Sequence, residues 1–277
     1  ALLAARAEEL RLEGRGAEAA AVCRQALDLH GDCLAAHLCL ARLALPGEDF
    51  LGHLRRFHDW MHPRLYLEIG VDAGRTLGLA RAPTRAVGVD PSPGAPADLD
   101  AETHLYAMES DVFFGTGVAE ESLGSEPVDL AFIDGLHQFE QALRDFRNVE
   151  RYAAAGSIIL FHDCLPLDEA TASRERRTGF WSGDVWKVIP CLKAVRPRLT
   201  VFVIATFPTG LGVLTDLDPS DRSLQDRWKE ILELYRRLPF PSSRAEMEAV
   251  LEVVPNDPAV IEQRLRATAA GKALQRR

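Results

Sequence analysis

The sequence predicts an α/β fold: a mostly parallel sheet with an antiparallel last strand, and helical segments at both ends. Three observations carry this. Leu65 to Ile69 is a near-continuous apolar run, the pattern of a strand covered on both faces, and it leads straight into Gly70 and Gly74. A second apolar run, Ala86 to Asp90, ends in an acid, and two later ones end at Asp134 and Asp163. Segments of helical period separate these runs, and that alternation makes a sheet of Rossmann-like type. An open sheet of this kind presents its ligand site at the carboxyl edge, where the acids stand.

The elements follow in order. Residues 1 to about 45 alternate Ala and Leu with charge at helical spacing, with turns at Gly14-Arg15-Gly16 and His30-Gly31-Asp32. Leu45-Pro46-Gly47-Glu48 breaks that pattern. It divides a helical cap over 1–48 from a central domain over 49–217, which a helical segment over 218–277 follows. Phe50 to Trp60 reads as a helix on the sheet, Leu65 to Gly70 as the first strand, and Arg75 to Arg81 as the next helix. Ala86 to Asp90 is the second strand and Thr103 to Met108 the third, with an irregular polar loop over 96–101 between them. Val128 to Asp134 is the fourth, Phe139 to Tyr152 an amphipathic helix, and Ser157 to His162 the fifth strand.

Cys164 to Gly183 is polar, Arg-rich and long for a connection, which suggests a lid. Asp184 is suited to cap a helix to Val195. Leu199 to Phe207 and Leu211 to Leu214 make an antiparallel pair around Pro208-Thr209-Gly210. Residues 222–237 and 243–267 read as helices, with Ser243 capping the second. The tail from Thr268 is expected to fray.

Bulk properties exclude several functions. The chain has 277 residues, 47% of them hydrophobic, and a net charge of −9, which argues against a nucleic-acid binder that needs a basic face. Five scattered cysteines without a CxxC pair point to reduced thiols and a cytoplasmic setting. No run of about 18 apolar residues suggests a membrane span, and the first residues lack the apolar core of a signal peptide.

The strand ends carry the chemistry. Glu68-x-Gly70-x-x-x-Gly74 is not the GxGxxG turn that cradles a pyrophosphate. Gly70 and Gly74 let the backbone approach a ligand. Glu68 could bind an ammonium directly or through water, and Asp90 could accept both ribose hydroxyls. Ser110 and Asp111, after the third strand, are placed to reach a base edge. Asp134 and Asp163, with His137 and His162, form a nitrogen and oxygen donor set that could hold a cation or a vicinal diol. His137 is also a candidate general base, its ordinary pKa of about 6.5 being suited to neutral pH. Either histidine could instead be structural, His137 bonding backbone at a helix start and His162 holding a loop.

At these residues the chain resembles a known family. Glu68-x-Gly70-x-x-x-Gly74 followed by Asp90 resembles the S-adenosylmethionine site of class I methyltransferases, over roughly residues 50 to 215. Ile133-Asp134-Gly135-Leu136-His137-x-Phe139 and Ile159-Leu160-Phe161-His162-Asp163 are similar to macrolide-sugar O-methyltransferases and cephalosporin-hydroxylase-like proteins. The resemblance implies S-adenosylmethionine across Glu68, Gly70, Gly74, Asp90, Ser110, Asp111 and Asp134. It also implies a divalent cation, magnesium, manganese or similar, on Asp134 and Asp163. His162 stands where those families often carry an acid, and as a ligand it favours a softer ion. In that reading His137 is the base and Asp134 positions a small-molecule acceptor.

Ala26-Leu27-Asp28-Leu29 to Ala41 resembles a tetratricopeptide repeat, with Gly31 where that family usually has proline. A single repeat cannot bury its own face, so the cap should pack on the following domain or on a second subunit. Two other functions fit less well: a non-catalytic scaffold, disfavoured by the intact acids, and a nicotinamide-dependent oxidoreductase, disfavoured by the missing GxGxxG.

Overall fold

The computed structural model describes residues 2–94 and 99–274. The polar loop expected over 96–101 lies partly outside them. The cap is three helices, α1 (Leu2–Leu12), α2 (Gly16–Leu29) and α3 (Leu34–Ala44), turning where the glycines suggested. Small side chains, Ala7, Cys23, Ala26, Ala36 and Cys39, form their shared core. The cap docks on its own chain. The His37 ring stacks on Phe180 at 5.7 Å, Arg42 lies 4.7 Å over the Phe207 ring, and the Gly179 N–H donates to the Asp32 carboxylate.

After the cap come α4 (Phe50–Met61), β1 (Leu65–Ile69), β2 (Arg85–Asp90), β3 (Glu102–Ala107), α5 (Ser110–Gly115) and α6 (Val118–Leu123). Then follow β4 (Val128–Ile133), α7 (Phe139–Glu150), β5 (Ala153–Phe161), α8 (Val188–Val195), β6 (Thr200–Ile204) and β7 (Leu211–Thr215). The chain ends with α9 (Ser223–Asp226), α10 (Trp228–Arg236), α11 (Arg244–Leu251), β8 (Val253–Val254), α12 (Pro258–Arg266) and α13 (Ala269–Leu274). The strands form one sheet in the order β3-β2-β1-β4-β5-β7-β6-β8. β7 runs antiparallel to both β5 and β6, and the other pairs are parallel. The order reverses between β1 and β4, and Gly70 and Asp134 follow those two strands. A ligand crevice opens at such a switch point.

Both faces of the sheet are covered, which is why β1 and β4 read as unbroken apolar runs. Leu54 and Phe57 of α4 pack with Tyr66, Phe132 and Leu160 on one face. Leu143 and Phe146 of α7 pack with Leu67, Ile133 and Phe161 on the other. Each such side chain contributes about 1.5–3 kcal/mol. α7 is also tied at its far end, where Arg196 forks onto Glu150 at 2.6 and 2.8 Å.

Several expectations are corrected. No helix follows Gly74; the chain makes one 3-10 turn, Leu77–Leu79. The Thr76 hydroxyl is bonded to Glu68 at 2.6 Å, and the stretch before Pro83 is too short to offset helix nucleation. The helix expected over 243–267 is split. Ser243 does cap α11, accepting from the Glu246 N–H, but Glu252 turns left-handed at φ 56°. β8 then joins the sheet beside β6, and Asp257 caps α12. The tail does not fray from Thr268. α13 buries Ala270, and Asp216 accepts the Ala269 N–H at 2.7 Å.

Candidate active site

A cleft of about 390 Å³ opens at the carboxyl ends of β1, β2 and β4. Gly70, Asp90, Ser110, Asp111 and Asp134 all line it, as the sequence suggested. Apolar walls come from Ile69, Val89, Pro91 and Leu136. Gly70 is required there. Its φ is +88°, and a Cβ would stand 2.1 Å from the Asp134 carbonyl oxygen. Five carboxylates line the cleft, those of Asp90, Glu109, Asp111, Asp134 and Asp145. Among the described residues, no Lys, Arg or His does.

Glu68 and Gly74 stand apart from it. Glu68 is fully buried, and its two oxygens accept the Tyr66 hydroxyl at 2.5 Å and the Thr76 hydroxyl at 2.6 Å. Burial pushes its carboxyl up to about 8 against those hydrogen bonds. Its role here is to join β1 to the turn, and a direct ammonium contact is not available to it. Gly74 supplies a left-handed residue at φ 74° inside that turn. Asp90 is committed in part. Its Oδ2 accepts the N–H groups of Val71 at 2.9 Å and Asp72 at 3.2 Å, and its Oδ1 accepts that of Ser92 at 2.7 Å. A bidentate grip on two hydroxyls therefore reduces to the capacity left on Oδ1.

Asp134, His162 and Asp163 each place one ligand atom within 4.8 Å of the other two. His162 Nδ1 lies 3.3 Å from Asp134 Oδ1 and 3.3 Å from Asp163 Oδ1. The ring is held from behind by Phe50, with centroids 4.4 Å apart. Asp163 is buried and sits in the left-handed region at φ 62°, a conformation that costs free energy and aims its carboxylate at the histidines. Asp134 Oδ1, Asp163 Oδ2 and both ring nitrogens of His162 are buried without a hydrogen bond. Buried polar atoms are rarely left so. Two oxygens and a nitrogen in this arrangement fit a divalent cation.

His137 completes the cluster, with Nδ1 3.1 Å from Asp163 Oδ2 and Nε2 3.5 Å from Asp134 Oδ1. Burial disfavours its charge, but the two carboxylates outweigh that and lift its pKa to about 9. Against burial, Asp134 and Asp163 lift His162 well above its ordinary value, and against burial His162 and His137 hold Asp134 well below the usual range. Between these two acids the His137 imidazole lies above the ordinary value of about 6.5 that the sequence alone suggests.

Residues 67–164 match the family model described as a methyltransferase domain. Over that stretch the chain is similar to such a domain. No curated protein matches the chain. Among solved structures, a candidate O-methyltransferase from Klebsiella pneumoniae is 20% identical, with 70% of this chain and 96% of that one covered at a TM-score of 0.42. The O-methyltransferase TomG from Streptomyces achromogenes, involved in tomaymycin synthesis and in complex with SAM, is 15% identical, covering 60% and 78% at 0.43. The O-methyltransferase from Bacillus cereus in complex with SAH is 15% identical, covering 70% and 96% at 0.42.

The segment after β5 walls the site on one side. Trp181 stacks on His137 with centroids 5.1 Å apart at 23°, and its indole N–H donates to the Ser173 carbonyl at 2.6 Å. Gly183, at φ 60°, passes so close to His137 that a Cβ would lie 1.8 Å from its carbonyl oxygen. Phe180 packs on the cap and Trp186 is buried in the core. Asp184 does not cap the helix that follows it. Its Oδ1 accepts the Phe139 N–H at 2.7 Å, so it caps α7, next to His137.

Two residues of α7 escaped the sequence reading, as did Glu109 before α5. Gln141 and Asp145 of α7 line the cleft and meet Ser110, whose hydroxyl donates to Asp145 at 2.6 Å. Their i, i+4 spacing puts them on one helix face. An acid on the apolar side of an amphipathic helix was the available signal.

Proposed function

We propose that this protein transfers the methyl group of S-adenosylmethionine to a hydroxyl oxygen of a small acceptor, a sugar or another natural product. The observation that carries this is the charge of the cleft. Five carboxylates without a basic residue among them would repel the pyrophosphate of a dinucleotide. They suit a ligand with a sulfonium, an ammonium and several N–H and O–H donors. The lack of a GxGxxG turn agrees.

The sulfonium donor is already reactive, so the protein needs mainly to align it and to remove a proton. Asp134 lines both the cofactor cleft and the adjoining hollow beside His137, His162 and Asp163. Methyl group and acceptor oxygen therefore meet next to Asp134. A divalent cation on Asp134, His162 and Asp163 would compensate the two acids and polarise an acceptor hydroxyl. His137, relieved of that uncompensated charge, falls back toward the range in which an imidazole accepts a proton. Trp181 fixes its ring plane and shields that side.

The test is methyl transfer from labelled S-adenosylmethionine to a panel of sugars, phenols and amines. The reading expects label on a hydroxyl oxygen. Label found on nitrogen alone would contradict it.

A further inference from the structure

A second hollow, of about 530 Å³, lies at the far end of α7 from His137. It is lined by four guanidiniums, those of Arg147, Arg151, Arg196 and Arg222, and by two carboxylates, those of Glu150 and Asp221. In a chain of net charge −9 this is a local excess of positive charge. Both acids are already used. Glu150 takes the two arms of Arg196 at 2.6 and 2.8 Å and the Asp218 N–H at 3.2 Å. Asp221 Oδ2 lies 3.1 Å from Arg196 Nε, and its Oδ1 accepts the Ser223 N–H at 2.8 Å. Arg196, 4% exposed, is thus the cation that these acids compensate.

The other three guanidiniums are left over. Arg147 lies 4.7 Å over the Trp228 ring and has no acid partner among the described residues. Burial and the neighbouring guanidiniums of Arg144 and Arg151 disfavour its charge. Arg151 has Glu120 at 3.9 Å, between two exposed side chains, where an ion pair contributes little. The Arg222 side chain is exposed and makes no hydrogen bond or ion pair among the described residues. Asn148 lines the same hollow, is 6% exposed, and its carboxamide has no hydrogen-bond partner among the described residues. A buried amide left so is costly, and its NH₂ group offers two donors. The carbonyl end of α7 adds about half a negative charge, less than the three free cations supply.

We infer that this hollow binds the phosphate group of a small organic phosphate, held by Arg147, Arg151 and Arg222 with Asn148 as a neutral donor. Guanidinium forks match phosphate oxygens in pairs. A hollow of this volume takes a nucleotide-sized molecule, and the negative charge of the whole chain opposes a long polyanion. α7 spans 12 residues, about 18 Å, and His137 stands just before its other end. The ligand is therefore a second molecule and not the methyl acceptor. The hollow shares no lining residue with the cleft or with the space beside His137, so it stands or falls apart from the methyl-transfer reading.

The experiment is calorimetric titration of the full chain with inorganic pyrophosphate, in excess chelator so that the probe cannot bind through a cation. Wild-type protein is expected to bind one pyrophosphate per chain, half-saturated below about 1 mM. Arg151→Glu and Arg222→Glu change exposed side chains and leave the core intact. Each should weaken binding by more than about tenfold, the order of losing a hydrogen bond to a charged group. Arg24→Glu, at an exposed arginine of the cap, should bind as wild type does. Absence of saturable binding to wild-type protein overturns the inference. Wild-type affinity in Arg151→Glu or Arg222→Glu overturns it too, and so does an equal loss in Arg24→Glu, which would mark a diffuse effect of net charge.

Discussion

His162 Nδ1 stands 3.3 Å from Asp134 Oδ1, and neither atom has a hydrogen bond. With Asp163 beside them, they form a donor set that is satisfied by a cation. Manganese binding, followed by its electron spin resonance signal, is therefore expected for wild-type protein. Asp163→Asn should weaken it by more than tenfold, at least the loss seen when a supporting residue of a metal site is removed. Full methyl transfer in excess chelator, with no manganese bound, would refute the site.

The pH profile reports on the same cluster. His137 sits at about 9 while Asp134 and Asp163 are uncompensated. A base must be deprotonated to act, so any residual rate in chelator should rise with pH up to about 9. Added cation should move that limb down towards neutrality. A limb that stays near 9 with and without cation would remove the coupling between His137 and the two acids.

Glu68 gives a stability test. Burial raises its folded carboxyl to about 8, against 4.5 for the group when unshifted. A raised acid stabilises fully below its unfolded pKa and loses that contribution as pH rises through its folded pKa. Wild-type protein should thus lose stability between about pH 5 and 8 relative to Glu68→Gln, by an amount on the order of a few kcal/mol. Thermal melts of both proteins from pH 5 to 9 measure the gap. A gap independent of pH would show that Glu68 is ionised in the folded protein.

Asp90→Ala should weaken S-adenosylmethionine by about 1–3 kcal/mol. Part of that loss is indirect, because Asp90 also accepts the N–H groups of Val71, Asp72 and Ser92. Hydrogen exchange at those three amides should quicken in the variant even without ligand. Unchanged exchange together with unchanged affinity would assign Asp90 to neither task.

The sheet was legible because its strands are covered on both faces, so β1, β2, β4 and β5 announce themselves as apolar runs, the last three leading to acids. The cluster was legible for the same reason: Asp134 directly follows β4, and His162 and Asp163 follow the neighbouring β5. What could not be read was the use of each polar group. Glu68 and Ser110 look like ligand contacts in the sequence, but Thr76, eight residues on from Glu68, and Asp145, 35 residues on from Ser110, occupy them. The split at Glu252 was hidden because two short helices and a strand share one apolar period. The strand is decided by pairing with β6, although Pro255 and Pro258 were a local warning. Asp184 looked like a local cap, and it caps a helix far earlier in the chain because Gly183 brings the backbone against His137.

The central claim is that the acidic cleft takes S-adenosylmethionine. Calorimetric titration of the purified protein with S-adenosylmethionine and, separately, with NAD tests it most directly. Saturable binding of S-adenosylmethionine with one site per chain, and no heat with NAD, is the expected result. Binding of NAD, or of neither compound, would contradict it.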